Sequence, residues 1–173
     1  MHNILKLTSS VLYMPIGPSG CGKSTLYHKL RGVQRELHNL SKDSIRCLLY
    51  GDDYAKAWIA ANNDKDFVAK VKVIYEKMLG EKSKIYLDNT NLSPKIRRYW
   101  LTEASKYNYT KIAIVFDVDV DILLSRQVTR EDKTVPKSAI YQQVAALKQP
   151  VIGEFDVVYS IIDVIRVLEN VNT

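Results

Sequence analysis

Nine consecutive residues constrain this chain more than any others: Gly17-Pro18-Ser19-Gly20-Cys21-Gly22-Lys23-Ser24-Thr25, a loop of the form G-x-x-x-x-G-K-[ST]. The spacing has a mechanical reason. Glycines let the backbone turn its N–H groups inward around a β-phosphate, Lys23 reaches the β/γ oxygens, and Ser24 gives its hydroxyl to Mg²⁺. A helix opening directly after the loop points its positive end at the anion. The context fits, because an apolar run at 11–16 precedes the loop and Leu26 and Leu30 follow at helical spacing. The expected ligand is ATP or another nucleoside triphosphate with Mg²⁺. Its expected contacts are Gly17, Ser19, Gly20, Cys21, Gly22, Lys23, Ser24 and Thr25.

Downstream, strand and helix patterns alternate. Strands are expected at 35–40, 84–87, 111–116 and 155–161, and helices at 44–50, 64–79, 121–129, 136–148 and 163–171. Ser93 followed by Pro94 reads as an N-cap and first-turn proline opening a helix to about 106. Gly51-Asp52-Asp53 reads as a break, with Tyr54 in the same loop. Five strands interleaved with helices predict an α/β protein of the P-loop NTPase/kinase fold, a five-stranded parallel sheet flanked by helices. At 173 residues and 46% hydrophobic, the chain suits one well-cored domain over 1–173, with a lid segment near 126–136.

Composition adds little. The net charge of +6 and the pI of about 9.2 are compatible with an anionic partner such as nucleic acid without requiring one. Two cysteines, Cys21 and Cys47, give no disulfide framework, so a reducing cytoplasm is the expected location. The N-terminus lacks a signal-peptide pattern, and no apolar run approaches membrane-spanning length.

In open parallel sheets, ligands sit at the carboxyl ends of the strands. The second strand delivers Asp43 and, three residues on, Arg46. Asp43 suits a general base that takes a hydroxyl proton as a new O–P bond forms, though Asp is equally a good N-cap. Arg46 could hold an anionic group on the acceptor, or be a surface arginine. The third strand delivers Asp88-Asn89-Thr90-Asn91, where Asp88 could hold a water on Mg²⁺ or merely cap its own turn. Asn91 and Asp88 are expected to face substrate. Arg126 and Arg130 lie four apart near a helix end and could clamp the β/γ-phosphates, or sit solvated where arginines are favoured anyway. Tyr54 or Trp58 could stack on a base. Arg97 and Arg98 could track a nucleic-acid backbone or lie on a solvated helix face.

Taken in order, these residues resemble the kinase domain of phage polynucleotide kinase. GPSGCGKST is followed by Asp43-x-x-Arg46, Asp88-Asn89-Thr90-Asn91-Leu92-Ser93-Pro94, Phe116-Asp117-Val118, Arg126-x-x-x-Arg130 and Val135-Pro136. The likeness runs over about 11–150, and Asp-Asn-Thr-Asn-Leu-x-Pro is its most specific element. It implies that Lys23 and Ser24 serve the triphosphate and that Asp43 is the general base. It further implies that Arg46 grips the acceptor's 3′-phosphate and that Arg130 is the lid arginine. The family's acid after the third strand maps onto Asp88 or Asn89, with Asp88 the better match.

One departure is large: the phage enzyme continues into a 3′-phosphatase domain, and none is expected in a chain of this length. Phe116-Asp117-Val118-Asp119-Val120 imitates the D-x-D-G-T of another phosphatase class, but Val120-Asp121 replaces Gly-Thr. The expected activity is therefore transfer of the γ-phosphoryl of ATP to the 5′-hydroxyl end of DNA or RNA. The alternatives are a P-loop kinase of a nucleoside, a small molecule or a hydroxylated base, and a nucleotide-switched RNA-processing factor. Oligomeric state is not legible.

Overall fold

A computed structural model describes residues 10–129 and 135–170. Its centre is β1 (Val11–Ile16), all six residues of which are buried. Such a run without polar alternation is what a strand covered on both faces requires. The other strands are β2 (Leu37–Leu40), β3 (Lys84–Leu87), β4 (Thr110–Val115) and β5 (Val157–Ser160). All pairings are parallel, in the order β2-β3-β1-β4-β5. The strand order reverses at β1, and a crevice at that switch point is where such sheets bind ligands.

Eight helices are described: α1 (Lys23–Val33), α2 (Lys42–Tyr50), α3 (Tyr54–Asn63), α4 (Phe67–Gly80), α5 (Pro94–Lys106), α6 (Val120–Val128), α7 (Lys137–Ala146) and α8 (Ile161–Glu169). They bury the two faces separately, following the period-two alternation of the strands. Leu12, Met14 and Ile16 face Val71, Tyr75 and Trp100 on α4 and α5. Val11 and Tyr13 face the other way, against Leu26, Leu30, Leu123 and Leu168 on α1, α6 and α8. Each fully buried side chain of this size contributes about 1.5–3 kcal/mol. Among the described residues no helix is long and apolar enough to cross a membrane.

Pro15 lies where β1 and β3 part. Strands β1 and β4 pair along the whole of β1, but the β1–β3 register ends at Tyr13↔Tyr86. Proline has no N–H for a ladder. Its carbonyl accepts instead from Asn91 Nδ2 at 2.8 Å, so the missing N–H faces the β3 side. The same Asn91 amide reaches Leu87 O at 3.0 Å and Asn89 O at 3.1 Å.

The expected elements exist, with shifted ends and one addition. Helix α2 begins two residues early, so Ser41 is its N-cap and accepts from Ser44 N at 2.9 Å. The capping alternative for Asp43 is thereby removed. Helix α3 was not anticipated: the expected loop at Asp53 and Tyr54 is a helix start, with Asp53 accepting from Lys56 N at 3.1 Å. The alanine-rich stretch behind it is good helix material. Asp119 caps α6 through Asp121 N at 2.8 Å, which gives the phosphatase look-alike a structural job.

Candidate active site

The loop at 17–22 connects β1 to α1 as its spacing demands. Gly20 has φ 86° and Gly22 φ 107°, the left-handed region that glycine enters without strain. A Cβ on Gly20 would lie 2.6 Å from Gln127 Nε2, and one on Gly17 would lie 2.7 Å from Cys21 Sγ and 2.8 Å from Phe116 Cβ. Gly22 also ends α1 without a side-chain cap, which leaves the first helical N–H groups available to an anion. The loop is tied to the β3 end through Gly17 N, which donates to Thr90 O at 3.1 Å.

The donor-side residues converge on this loop. Lys23 is 8% exposed and donates to Gly17 O at 3.0 Å and Pro18 O at 2.6 Å, so its charge is held by the loop's own carbonyls. Ser24 Oγ donates to Asp88 Oδ2 at 2.8 Å. A hydroxyl and a carboxylate side by side are oxygen donors suited to Mg²⁺, which takes few protein ligands and shares phosphate oxygens. Arg126, in the last turn of α6, donates to Gly20 O at 3.0 Å. Arg130 lies outside the described residues, as does the part of the lid segment at 130–134. Burial raises the Cys21 thiol pKa, and the Lys23 charge only partly offsets this.

Two neighbours of the loop carry no motif. Gln143 of α7 accepts from Ser19 N at 2.7 Å. Gln127 is 6% exposed and accepts from Val135 N at 3.2 Å, joining α6 to the segment before α7. The Ser19–Gln143 contact spans 124 residues, so only three-dimensional packing reveals it.

The expected acceptor residues Asp43 and Arg46 lie in a second cluster, built from side chains on three helices. Arg46 donates to Asp43 Oδ1 at 2.5 Å, one helical turn apart on α2. Tyr54 of α3 donates to the same oxygen at 3.3 Å. The Arg46 guanidinium lies between two rings, 4.5 Å from Trp58 and 5.1 Å from Phe67. Arg46 is 9% exposed and its Nε is buried with no hydrogen-bond partner. That excludes the surface-arginine reading. Beside it, Lys42 is half-buried, and burial followed by the Arg46 charge lowers its pKa. Asn89 joins the two sides, since its Oδ1 accepts from Lys42 N at 3.3 Å while its neighbour Asp88 faces Ser24. Asp88, and not Asn89, is therefore the residue set against Ser24.

Two expectations are corrected. Asn91 is fully buried and its NH2 group ties the ends of β1 and β3 together through backbone carbonyls, so its side chain has no surface to present to a substrate. Arg97 has no exposed surface either. It pairs with Glu154 at 2.6 and 2.8 Å and also donates to Asn91 O at 3.0 Å. It is an internal strut. Burial pushes the Glu154 pKa up, but the Arg97 bonds overcome this and hold it below the usual carboxylate value.

Comparison with known proteins agrees with this fold. A protein of Autographa californica nuclear polyhedrosis virus, described as a bifunctional polynucleotide kinase/RNA ligase, is 28% identical over 139 residues. That match covers 75% of this chain and 20% of the viral protein, so the chain spans about a fifth of that relative's length. Among solved structures, a chain of the Pnkp1/Rnl/Hen1 RNA repair complex superposes with TM-score 0.66 at 23% identity, over 80% of this chain and 44% of that one. A gluconokinase from Sinorhizobium meliloti superposes with TM-score 0.58 at 15% identity, over 94% of this chain and 96% of that one. At these identities the structural likeness speaks for the fold. The AAA domain family model matches residues 12–150, and with the loop, the sheet order and the Ser24–Asp88 contact this chain belongs to that family, as a P-loop kinase domain.

Proposed function

We propose that the chain transfers the γ-phosphoryl of ATP to the 5′-hydroxyl of a polynucleotide. The observation that carries this reading is the Arg46 environment: a buried guanidinium, caged by two rings, with an unpartnered Nε, in an ion pair with Asp43 in the helix that follows β2. A free sugar or nucleoside offers nothing anionic for such a group to hold. An oligonucleotide 5′ end places a phosphate one sugar away from the reacting hydroxyl.

In this reading the Asp43 carboxylate accepts the proton of the 5′-OH as its oxygen bonds to the γ-phosphorus, and the bond to the β–γ bridging oxygen breaks to release ADP. Such a transition state is loose, so the protein's task is to position the groups and balance charge. Lys23 would leave the loop carbonyls for the β/γ oxygens, and the 17–22 amides and the start of α1 would take the remaining charge. Ser24 and Asp88 would hold Mg²⁺, which when bound neutralises charge on the β- and γ-phosphates. Arg126, and Arg130 by resemblance, would close over the triphosphate. The expected partners are nucleic-acid 5′-OH ends.

The test is labelled ATP offered with a 5′-OH oligonucleotide, a nucleoside 3′-monophosphate, a free nucleoside, gluconate, or no acceptor. Label is expected on the first two, reduced about 10²–10⁴-fold by Asp43→Asn. Label on the free nucleoside alone, or phosphate release without an acceptor, rejects the proposal. The gluconokinase superposition over nearly the whole of both chains supports a second reading, a kinase of a small anionic polyol. Label on gluconate alone would establish it.

A further inference from the structure

We propose that Trp58 is the recognition platform for the acceptor, stacking on the nucleobase of the terminal nucleotide while it holds Arg46 in place for the adjoining phosphate. The inference rests on the polynucleotide reading above and adds the part of the substrate that the site grips besides phosphate.

The two rings around Arg46 differ. Phe67 is 5% exposed and forms a floor inside the core. Trp58 is 44% exposed, so one part of its surface covers the guanidinium while much of the rest meets solvent. Helix α3 had an easier choice for an exposed position. Its packing face is made by Ala57 and Ala61, 0% and 4% exposed, and neither needs a large aromatic beside it.

Spacing reinforces the point. Tyr54 and Trp58 are four apart on α3 and therefore share a face, about one helical turn of 5.4 Å apart. Tyr54 reaches Asp43, and Trp58 reaches Arg46, which follows Asp43 by three on α2. The two helices thus set a reacting end and an anchoring end in register. An acceptor whose hydroxyl meets Asp43 and whose phosphate meets Arg46 brings its base to the exposed indole. Stacking on a tryptophan face tolerates any base. An enzyme acting on ends of varied sequence needs that tolerance. The neighbouring guanidinium adds cation–π attraction on the covered face.

The experiment compares two 5′-OH oligonucleotides that differ only in whether the first nucleotide carries its base. For the wild-type protein the base is expected to lower KM about tenfold and to quench tryptophan emission, which the 7%-exposed Trp100 would not report. Trp58→Leu is expected to erase the preference between the two oligonucleotides, and Trp58→Phe to keep most of it. Equal KM values for both oligonucleotides in the wild type would overturn the proposal, and that comparison needs no folded variant. It is also overturned if Trp58→Leu raises KM by the same factor for both, since the indole would then serve Arg46 alone. Failure to phosphorylate any nucleic-acid end, with base-dependent quenching intact, would reject the transfer reading and leave the platform standing.

Discussion

The two halves of the site are made of different material. The donor half is centred on backbone, a contiguous loop whose amides and glycine conformations would serve any triphosphate, with the Lys23, Ser24, Asp88 and Arg126 side chains set against it. The proposed acceptor half is side chain, assembled from Asp43 and Arg46 on α2, Tyr54 and Trp58 on α3, and Phe67 on α4. Backbone sites are generic, because every residue has the same N–H. Side-chain sites are particular, and the second half is where this chain would differ from other kinases of its fold.

That contrast breaks most readily at the lysine. Lys23→Ala is expected to lower transfer to every acceptor alike, by about 10³-fold or more, as loss of a preorganised charge at a phosphoryl group does. Arg46→Ala should act selectively, raising KM about 30-fold for acceptors with a 3′-phosphate and hardly at all for those without. Steady-state kinetics with paired acceptors measures both, and equal losses for all acceptors with Arg46→Ala would erase the distinction between the halves.

A smaller effect tests what joins them. Asn91→Ala removes the amide that bridges the ends of β1 and β3, and a loss of about 1–3 kcal/mol is expected in urea unfolding. Asn91→Asp should cost more, because a carboxylate would face the carbonyls of Pro15, Leu87 and Asn89. Unchanged stability in both variants would mean that the crevice needs no clasp.

The smallest effect concerns acidity on the acceptor side. Asp64 closes α3 and bonds to Tyr50 of α2 and to Lys70 of α4, at 2.6 Å for the lysine. The Lys70 hydrogen bond first, and then that of Tyr50, pull its pKa down to about 2. A depressed carboxylate contributes stability above its unfolded pKa and loses it as pH falls through the folded one. The stability gap between the wild type and Asp64→Asn should therefore be constant near neutrality and shrink from about pH 4 to about pH 2. A gap independent of pH over that range would reject this role.

What was legible in the sequence follows the same division. Local signals sufficed for the phosphate loop, for Ser93-Pro94 at the start of α5, and for the buried strands, because each depends on residues adjacent in the chain. Asp43 and Arg46 were visible as a pair three apart, but their surroundings were not. The cage around Arg46 depends on α3, whose start hid in what looked like a loop because Asp53 serves turns and caps equally well. Asn91 and Arg97 were misread for the opposite reason. A polar residue beside a site sequence looks functional until burial shows it bonded to backbone. Gln143 left no local trace, since its partner Ser19 lies 124 residues away.

Gln143 has a consequence for how tightly the donor binds. Its carbonyl already occupies the Ser19 N–H, so a phosphate oxygen seeking that group meets an intramolecular competitor tethered at fixed concentration. If that amide serves the phosphate as proposed, the apparent dissociation constant would be the intrinsic one divided by the fraction of molecules in which the amide has let go. A ligand that also draws on Lys23 and the start of α1 would have binding energy to set against that competition. Inorganic phosphate, with fewer such contacts, would be turned away.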